Sequence, residues 1–262
     1  MSPKTESEGK FEYYLEGLGL RWERIATSET KQPDYSLDYG GARYLFEVKE
    51  FDHPRPLPSG GFSPCPPIRQ KISAAARQFK AHKADCCAVV LWNSKSIYRS
   101  VQTEVVLSAA FGKTVRRTPN YGDDLGAGPA RWRLSGSAAL TKEHNTTISA
   151  VVILSSYRLN HLWLEAWKVL DAKKQAGHEI QPEDQFNILH DLSSDLPATY
   201  SYEGTIRSIV VENPYARIQF PTSLLSGPFD QRWQMQDGWF KMTFMGPELM
   251  RLKQDGVPFI YL

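Results

Sequence analysis

The chain has 262 residues, 41% of them hydrophobic and 12% aromatic, with 7 Trp and only 3 Cys. That composition can bury a full core, which excludes a disordered chain and a disulfide-stapled miniprotein. The formal charge of +2, from 31 basic and 29 acidic residues, creates no field that would hold the whole molecule against a polyanion or an anionic membrane, so any nucleic-acid contact must be local.

The length fits a single elaborated α/β domain spanning 1–262. Met1 to Lys10 is polar and lacks the apolar centre of a signal peptide, and no apolar run approaches the ~20 residues that span a bilayer, so no membrane partner is expected. Cys65, Cys86 and Cys87 form no CxxC pair, which fits a reducing cytoplasm better than a disulfide framework or a zinc site.

In chain order, Thr5-Glu6-Ser7-Glu8 has the form of a capping box, and Phe11, Tyr14, Leu15 and Leu18 follow at helical spacing until Gly17 and Gly19 end the helix. Residues 20–25 read as a strand and 27–32 as a polar turn. Tyr35 to Tyr39 and Ala42 to Phe51 read as two strands joined by Gly40-Gly41, since glycine tolerates the positive φ of a two-residue hairpin turn. Residues 54–67 hold six prolines and two glycines and read as a loop. Ile68, Ile72, Ala75, Ala76 and Phe79 then repeat at helical spacing among Arg69, Lys71, Arg77, Lys80 and Lys83, a basic amphipathic helix. Cys87 to Trp92 suits a buried strand.

Beyond residue 95 the pattern is weaker. Residues 118–147 read as a long excursion, 148–154 as a buried strand, 159–174 as a helix and 206–211 as a strand, ahead of an aromatic-rich C-terminal quarter that includes Trp233, Trp239 and Phe240.

The residues that carry chemistry lie on the hairpin. Glu47 and Lys49 are two apart on a strand and therefore share a face, while Phe46 and Val48 point to the other. If Asp34 sits near the same sheet edge, its carboxylate and that of Glu47 converge on a hard divalent cation, Mg²⁺ or Mn²⁺. Such an ion acidifies water and neutralises charge on phosphoryl oxygens, with Lys49 placed to orient water or to act as a point charge. The plainer alternatives are a solvated edge strand carrying a Glu47–Lys49 ion pair and a turn role for Asp34, although Leu45 on the same face argues against full solvation.

Pro33-Asp34 followed by Glu47-Val48-Lys49 resembles the PD-(D/E)xK nuclease superfamily over about residues 5–95. The resemblance implies a restriction-endonuclease-like α/β core, a mixed central sheet flanked by helices in the order αβββαβ, with an α/β elaboration over about 96–262. It implies Mg²⁺-dependent phosphodiester hydrolysis, with Mn²⁺ able to substitute, Asp34 and Glu47 as metal ligands aided by the Val48 carbonyl, and Lys49 as the catalytic lysine. Members often add an acid from the first helix, which points to Glu12, with Glu8 one turn earlier as the competing residue. The basic helix, through Arg69, Lys71 and Gln78, would contact the nucleic acid, DNA rather than RNA, and a homodimer or partner subunit could supply further basic surface. The alternative on the same fold is a catalytically inactive nucleic-acid-binding or scaffold protein.

Other motifs fail. Gly112-Lys113-Thr114 has the tail of a P-loop, but Leu107 stands where the first glycine belongs, and the six histidines show no metal spacing. Arg116-Arg117 and Arg131-Trp132-Arg133 are side-chain types that grip phosphates and stack on bases, and they serve equally well in surface loops.

Overall fold

The structure, a computed structural model, describes residues 4–26, 32–51, 65–83, 85–92, 103–116, 132–135, 138–156, 161–179 and 206–254, together with residues 184, 187, 188 and 191. The chain forms two compact units, one from Met1–Ser155 and Arg207–Gly246 and a smaller one from Ser156–Ile206 and Pro247–Leu262.

The larger unit is α/β. In chain order it runs α1 (Glu6–Gly17), β1 (Trp22–Arg24), β2 (Tyr35–Tyr39), β3 (Ala42–Glu50), α2 (Cys65–Gln78), a 3₁₀ turn (Phe79–Ala81), β4 (Cys86–Trp92), α3 (Thr103–Phe111), β5 (Lys113–Arg116), β6 (Trp132–Ser135), β7 (Ile148–Ser156), β8 (Ile206–Glu212), β9 (Gln231–Gln236) and β10 (Trp239–Met245). Among the described residues these strands make one mixed sheet in the order β1-β2-β3-β4-β7-β8-β9-β10-β6-β5. The β1–β2 and β2–β3 pairs are antiparallel, β3–β4 and β4–β7 parallel, β8–β9 parallel, and β9–β10, β10–β6 and β6–β5 antiparallel. The smaller unit contributes α4 (His161–Gln175) and α5 (Pro247–Gln254). No helix among the described residues is long and apolar enough to cross a membrane.

Local chemistry accounts for the element ends near the site. Thr5 caps α1 with a full capping box, its hydroxyl accepting from the Glu8 N–H while Glu8 Oε2 accepts from the Thr5 N–H at 2.6 Å. Gly40 (φ 58°) and Gly41 (φ 79°) close the β2–β3 hairpin, as the left-handed positions of a tight turn require. The Pro-rich loop gives way to α2 earlier than its composition suggests. Cys65, Pro66 and Pro67 form the first turn of the helix, where a missing proline N–H leaves no intrahelical bond unmade. The first strand is shorter than expected, three residues only.

The core lies on both faces of the sheet. On one, Phe11 of α1 packs its ring against Tyr35 and Phe46 at centroid distances of 5.5 and 5.2 Å. On the other, Ile68, Ile72 and Ala75 of α2 and Val106, Leu107 and Ala110 of α3 cover Leu45, Val89, Leu91, Val151 and Ile153. All seven residues of β4 are buried, as a parallel strand covered on both faces must be.

Two features far from the hairpin hold the larger unit together. Asp230 is 1% exposed, and its carboxylate accepts from Ser208 N (2.6 Å), Tyr14 Oη (2.6 Å) and the Gly227 N–H, so α1, β8 and the turn before β9 meet on one side chain. Gly246 follows β10 and donates its N–H to the Asp230 carbonyl at 2.8 Å. A Cβ at Gly246 would lie 2.3 Å from the Pro228 carbonyl oxygen and 2.5 Å from that of Gly227, both backbone atoms. Gly246→Ala is therefore expected to destabilise by about 3 kcal/mol, since overpacking against backbone forces the chain to shift. A thermal melt of that variant unchanged from the parent would contradict this packing.

Candidate functional site

β3 carries the site because it outlasts its neighbour. The Asp34 N–H still donates to the Phe46 carbonyl at 3.0 Å, but β2 begins at Tyr35, so from Val48 onward β3 has no strand on that side to accept its amide hydrogens. The Asp34 carboxylate takes that role: Oδ2 accepts from the Val48 N–H at 2.8 Å. This bond fixes the acid beside the residue that separates Glu47 from Lys49. On the other side β3 pairs in parallel with β4, Glu47 opposite Val89 and Lys49 opposite Leu91. The strand is thus interior to the sheet and Glu47 is 1% exposed, which overturns the solvated-edge alternative.

Burial makes the local electrostatics. Lys49 Nζ donates to Glu47 Oε1, while Oε2 is buried with no hydrogen-bond partner. Removal from water, and then the neighbouring Asp34 charge, push the Glu47 carboxyl up to about 7; Lys49 and the Gln78 amide oppose that rise. Asp34 is also raised, first by burial and further by the Glu8 charge, against the lowering effect of the Val48 N–H and Lys49. The Asp34 charge raises Glu47, whereas Glu47 acts on Asp34 through a hydrogen bond that lowers it, so the two carboxyls titrate as a pair.

The remaining expected residues fall into distinct places. Glu8 is held by the Thr5 N–H and by Arg24 Nη2 at 3.0 Å, and its charge reaches Asp34. Glu12 turns elsewhere: Oε1 accepts from the Tyr35 hydroxyl at 2.8 Å, and Oε2 takes Lys4 Nζ. Its partnership with Tyr35 follows from the alternation of β2, which sends Tyr35 to the α1 face of the sheet. The structure thus gathers Asp34, Glu47 and Lys49, with Glu8 reaching Asp34 through its charge alone, and no described contact joins Glu12 to that group. Arg69 and Lys71 are half-buried in the early turns of α2, and Gln78 ends that helix, donating Nε2 to the Gln32 carbonyl at 3.3 Å.

The chain matches no family model, no curated protein and no solved structure.

Among the described residues no set of three or more His, Cys, Asp or Glu side chains is gathered as a cation site. The hydrogen bonds supply the reason: Lys49 meets Glu47, Arg24 meets Glu8 and Lys4 meets Glu12, so each acid faces a basic side chain of its own. Arg24 is the partner that sequence reading missed. Its only signal is the alternation of Trp22-Glu23-Arg24, which gives a face and not a partner. A hard divalent cation nonetheless suits the oxygen donors present, because the buried Glu47 Oε2 is an acceptor with no hydrogen-bond partner, and Lys49 and the Gln78 amide offset the burial of that carboxylate only in part.

Proposed function

We propose that the protein is a Mg²⁺-dependent nuclease that hydrolyses phosphodiester bonds of DNA, built on a restriction-endonuclease-like core over about residues 5–95. One observation carries the reading: a glutamate inside the sheet, with one carboxylate oxygen unpartnered, lies beside an aspartate and contacts a lysine on the same strand. Further support comes from the antiparallel β1–β2–β3 ribbon leading through α2 into a parallel β4. The free cysteines Cys65, Cys86 and Cys87 suit a reducing cytoplasm.

In this mechanism Glu47 and Asp34 would hold the cation, with the Val48 carbonyl as the third donor, while Glu8, paired with Arg24, acts through its effect on Asp34. When bound, the ion supplies an acidified water and neutralises charge developing on the phosphoryl oxygens. Lys49, one residue beyond Val48 and on the Glu47 face, orients the attacking water and stabilises negative charge at the scissile phosphate. Asp34 keeps its position through the Val48 N–H, so the ligand pair is preset before substrate arrives. Arg69 and Lys71 on α2 hold the polynucleotide backbone as sequence-independent phosphate contacts.

A second reading, a nuclease-fold nucleic-acid-binding or scaffold protein without turnover, is favoured by the pairing of Glu8, Glu12 and Glu47 with basic side chains. A digestion panel of double-stranded DNA, single-stranded DNA and RNA, each with Mg²⁺, Mn²⁺ or EDTA, separates the two. The nuclease reading expects cation-dependent cleavage of DNA that stops in EDTA. Asp34→Ala should lower the rate on the order of 10³-fold, the equivalent of about 4 kcal/mol of lost charge stabilisation. Absence of cleavage on every substrate, with nucleic-acid binding retained, would leave the scaffold reading.

A further inference from the structure

We infer that Lys49 is an internal counter-ion that a divalent cation must displace from Glu47, so that this lysine sets the affinity and charge selectivity of the site as well as serving its chemistry. The inference rests on the metal-dependent reading above and concerns how the same site is regulated.

Three observations carry it. Lys49 Nζ lies on Glu47 Oε1, an oxygen of the same carboxylate whose other oxygen is buried and unpartnered. The Glu47 side chain is 1% exposed whereas that of Lys49 is 20% exposed, so the acid stays in place while the lysine has a path to water. The neighbouring acids on α1 are matched in the same way, Glu8 by Arg24 and Glu12 by Lys4, which leaves Asp34, Glu47 and Lys49 with a formal charge of −1 once both acids are ionised. Attraction between a buried carboxylate and an ammonium is strong because little water screens it, and removing one partner leaves an uncompensated buried charge.

A monovalent ion brings no more charge than the lysine it would replace, and it loses the directed N–H donor. A divalent ion brings twice the charge and engages both carboxylates at once. The ammonium therefore excludes Na⁺ and K⁺ and lowers the apparent affinity for Mg²⁺ and Mn²⁺ by the free energy of the contact it gives up. Once displaced, Lys49 moves toward the solvent side of the strand, where an incoming phosphate and its attacking water would approach. Cation loading and placement of the lysine then become one event.

The test is cation binding in the absence of any substrate. Isothermal titration with Mn²⁺, and the rise in melting temperature on adding Mg²⁺, are measured for the parent, Lys49→Met, Lys49→Gln and Lys49→Arg, with circular dichroism confirming that each is folded. The inference expects Lys49→Met and Lys49→Gln to bind Mn²⁺ at least tenfold more tightly than the parent and to gain more melting temperature from Mg²⁺. Lys49→Arg, which keeps the charge, should bind like the parent. In 0.3 M KCl the two neutral variants should lose more Mn²⁺ affinity than the parent, because monovalent ions can now compete. Unchanged or weaker binding in both neutral variants, with the parent binding normally and Glu47→Gln abolishing binding, would overturn the inference and leave the metal site standing. Failure of the parent and of every Lys49 variant to bind either ion would remove both.

Discussion

Glu47→Gln is expected to stabilise the cation-free protein at alkaline pH while removing DNA cleavage. The sign follows from the direction of the shift. Burial and Asp34 raise the folded-state Glu47 carboxyl from the ordinary value near 4.5 to about 7, so between those values the native state keeps a proton that the unfolded chain has released. Stability of the parent in EDTA therefore falls as pH rises through that window, and the penalty is complete above about 7. Asp34 is displaced in the same direction and adds to the fall. Glutamine cannot ionise, so the variant loses the Glu47 part of the slope and keeps an Asp34 part, which comes first from burial. The freed Lys49, 20% exposed, reaches water. Added Mg²⁺ reverses the order, stabilising the parent at pH 8 and leaving the variant unchanged, while cleavage drops on the order of 10³-fold. Melting temperatures at pH 5 and pH 8, with EDTA or Mg²⁺, check the claim. A parent equally stable at both pH values in EDTA, or a variant that still cuts, would contradict it.

Asp230→Ala should be the most destabilising polar substitution in the larger unit, at about 3 kcal/mol or more. Three donors converge on this carboxylate from separate parts of the chain: Tyr14 Oη, the Ser208 N–H and the Gly227 N–H. Each is buried, and each donor left unpaired in the interior costs on the order of 1–3 kcal/mol. Tyr14 would retain Ser208 Oγ, 2.8 Å away, which moderates the loss on α1. The Asp230 carboxyl is raised by burial despite its donors, and the Tyr14 hydroxyl is raised well above its usual value, by burial first and then by the adjacent Asp230 charge. Asp230→Asn keeps one acceptor but turns an NH₂ toward donors, so it should fall between Ala and the parent. Urea unfolding separates the three, and an Asp230→Ala midpoint within error of the parent would discount the cluster. Because Tyr14 comes from the same helix as Glu8, loosening this knot also loosens the α1 side of the candidate site.

What the sequence disclosed was local. The Thr5 capping box, the Gly40-Gly41 turn and the alternation of Glu47 and Lys49 are decided within a few residues, and the structure has the cap, the turn and the shared face. Asp34 and Glu47 come close because β2 and β3 form a short hairpin whose register the turn fixes. Where a contact depends on the whole topology, the sequence was silent. Nothing local says that α1 would meet Ser208 and Asp230, 194 and 216 residues from Tyr14 along the chain. Nor does periodicity disclose that β7 lies beside β4, so that the sheet bearing the hairpin continues past residue 95.

Some misses had a signal. Asp237-Gly238, with φ of 54° and 76°, is the Asp-Gly dipeptide of a tight hairpin, and it joins β9 to β10 in a stretch read only as aromatic-rich. Helix α3 and the strands β5 and β6 lie beyond residue 95, where the hydrophobic periodicity is weak. Six of the nine residues of α3 are buried, and its polar edge is only Glu104 and Ser108, too little to mark a period in the sequence. The same burial that hides such an element from pattern reading makes it part of the core beside α2.

Among the described residues the sheet ends on short strands at both sides, β1 with three residues and β5 with four. A strand offered by another chain would find only those few amides and carbonyls to zip onto, too small a template for runaway growth. Among the described residues the two edges therefore offer little backbone for a second copy to pair with, and β3, which bears Glu47 and Lys49, lies inside the sheet.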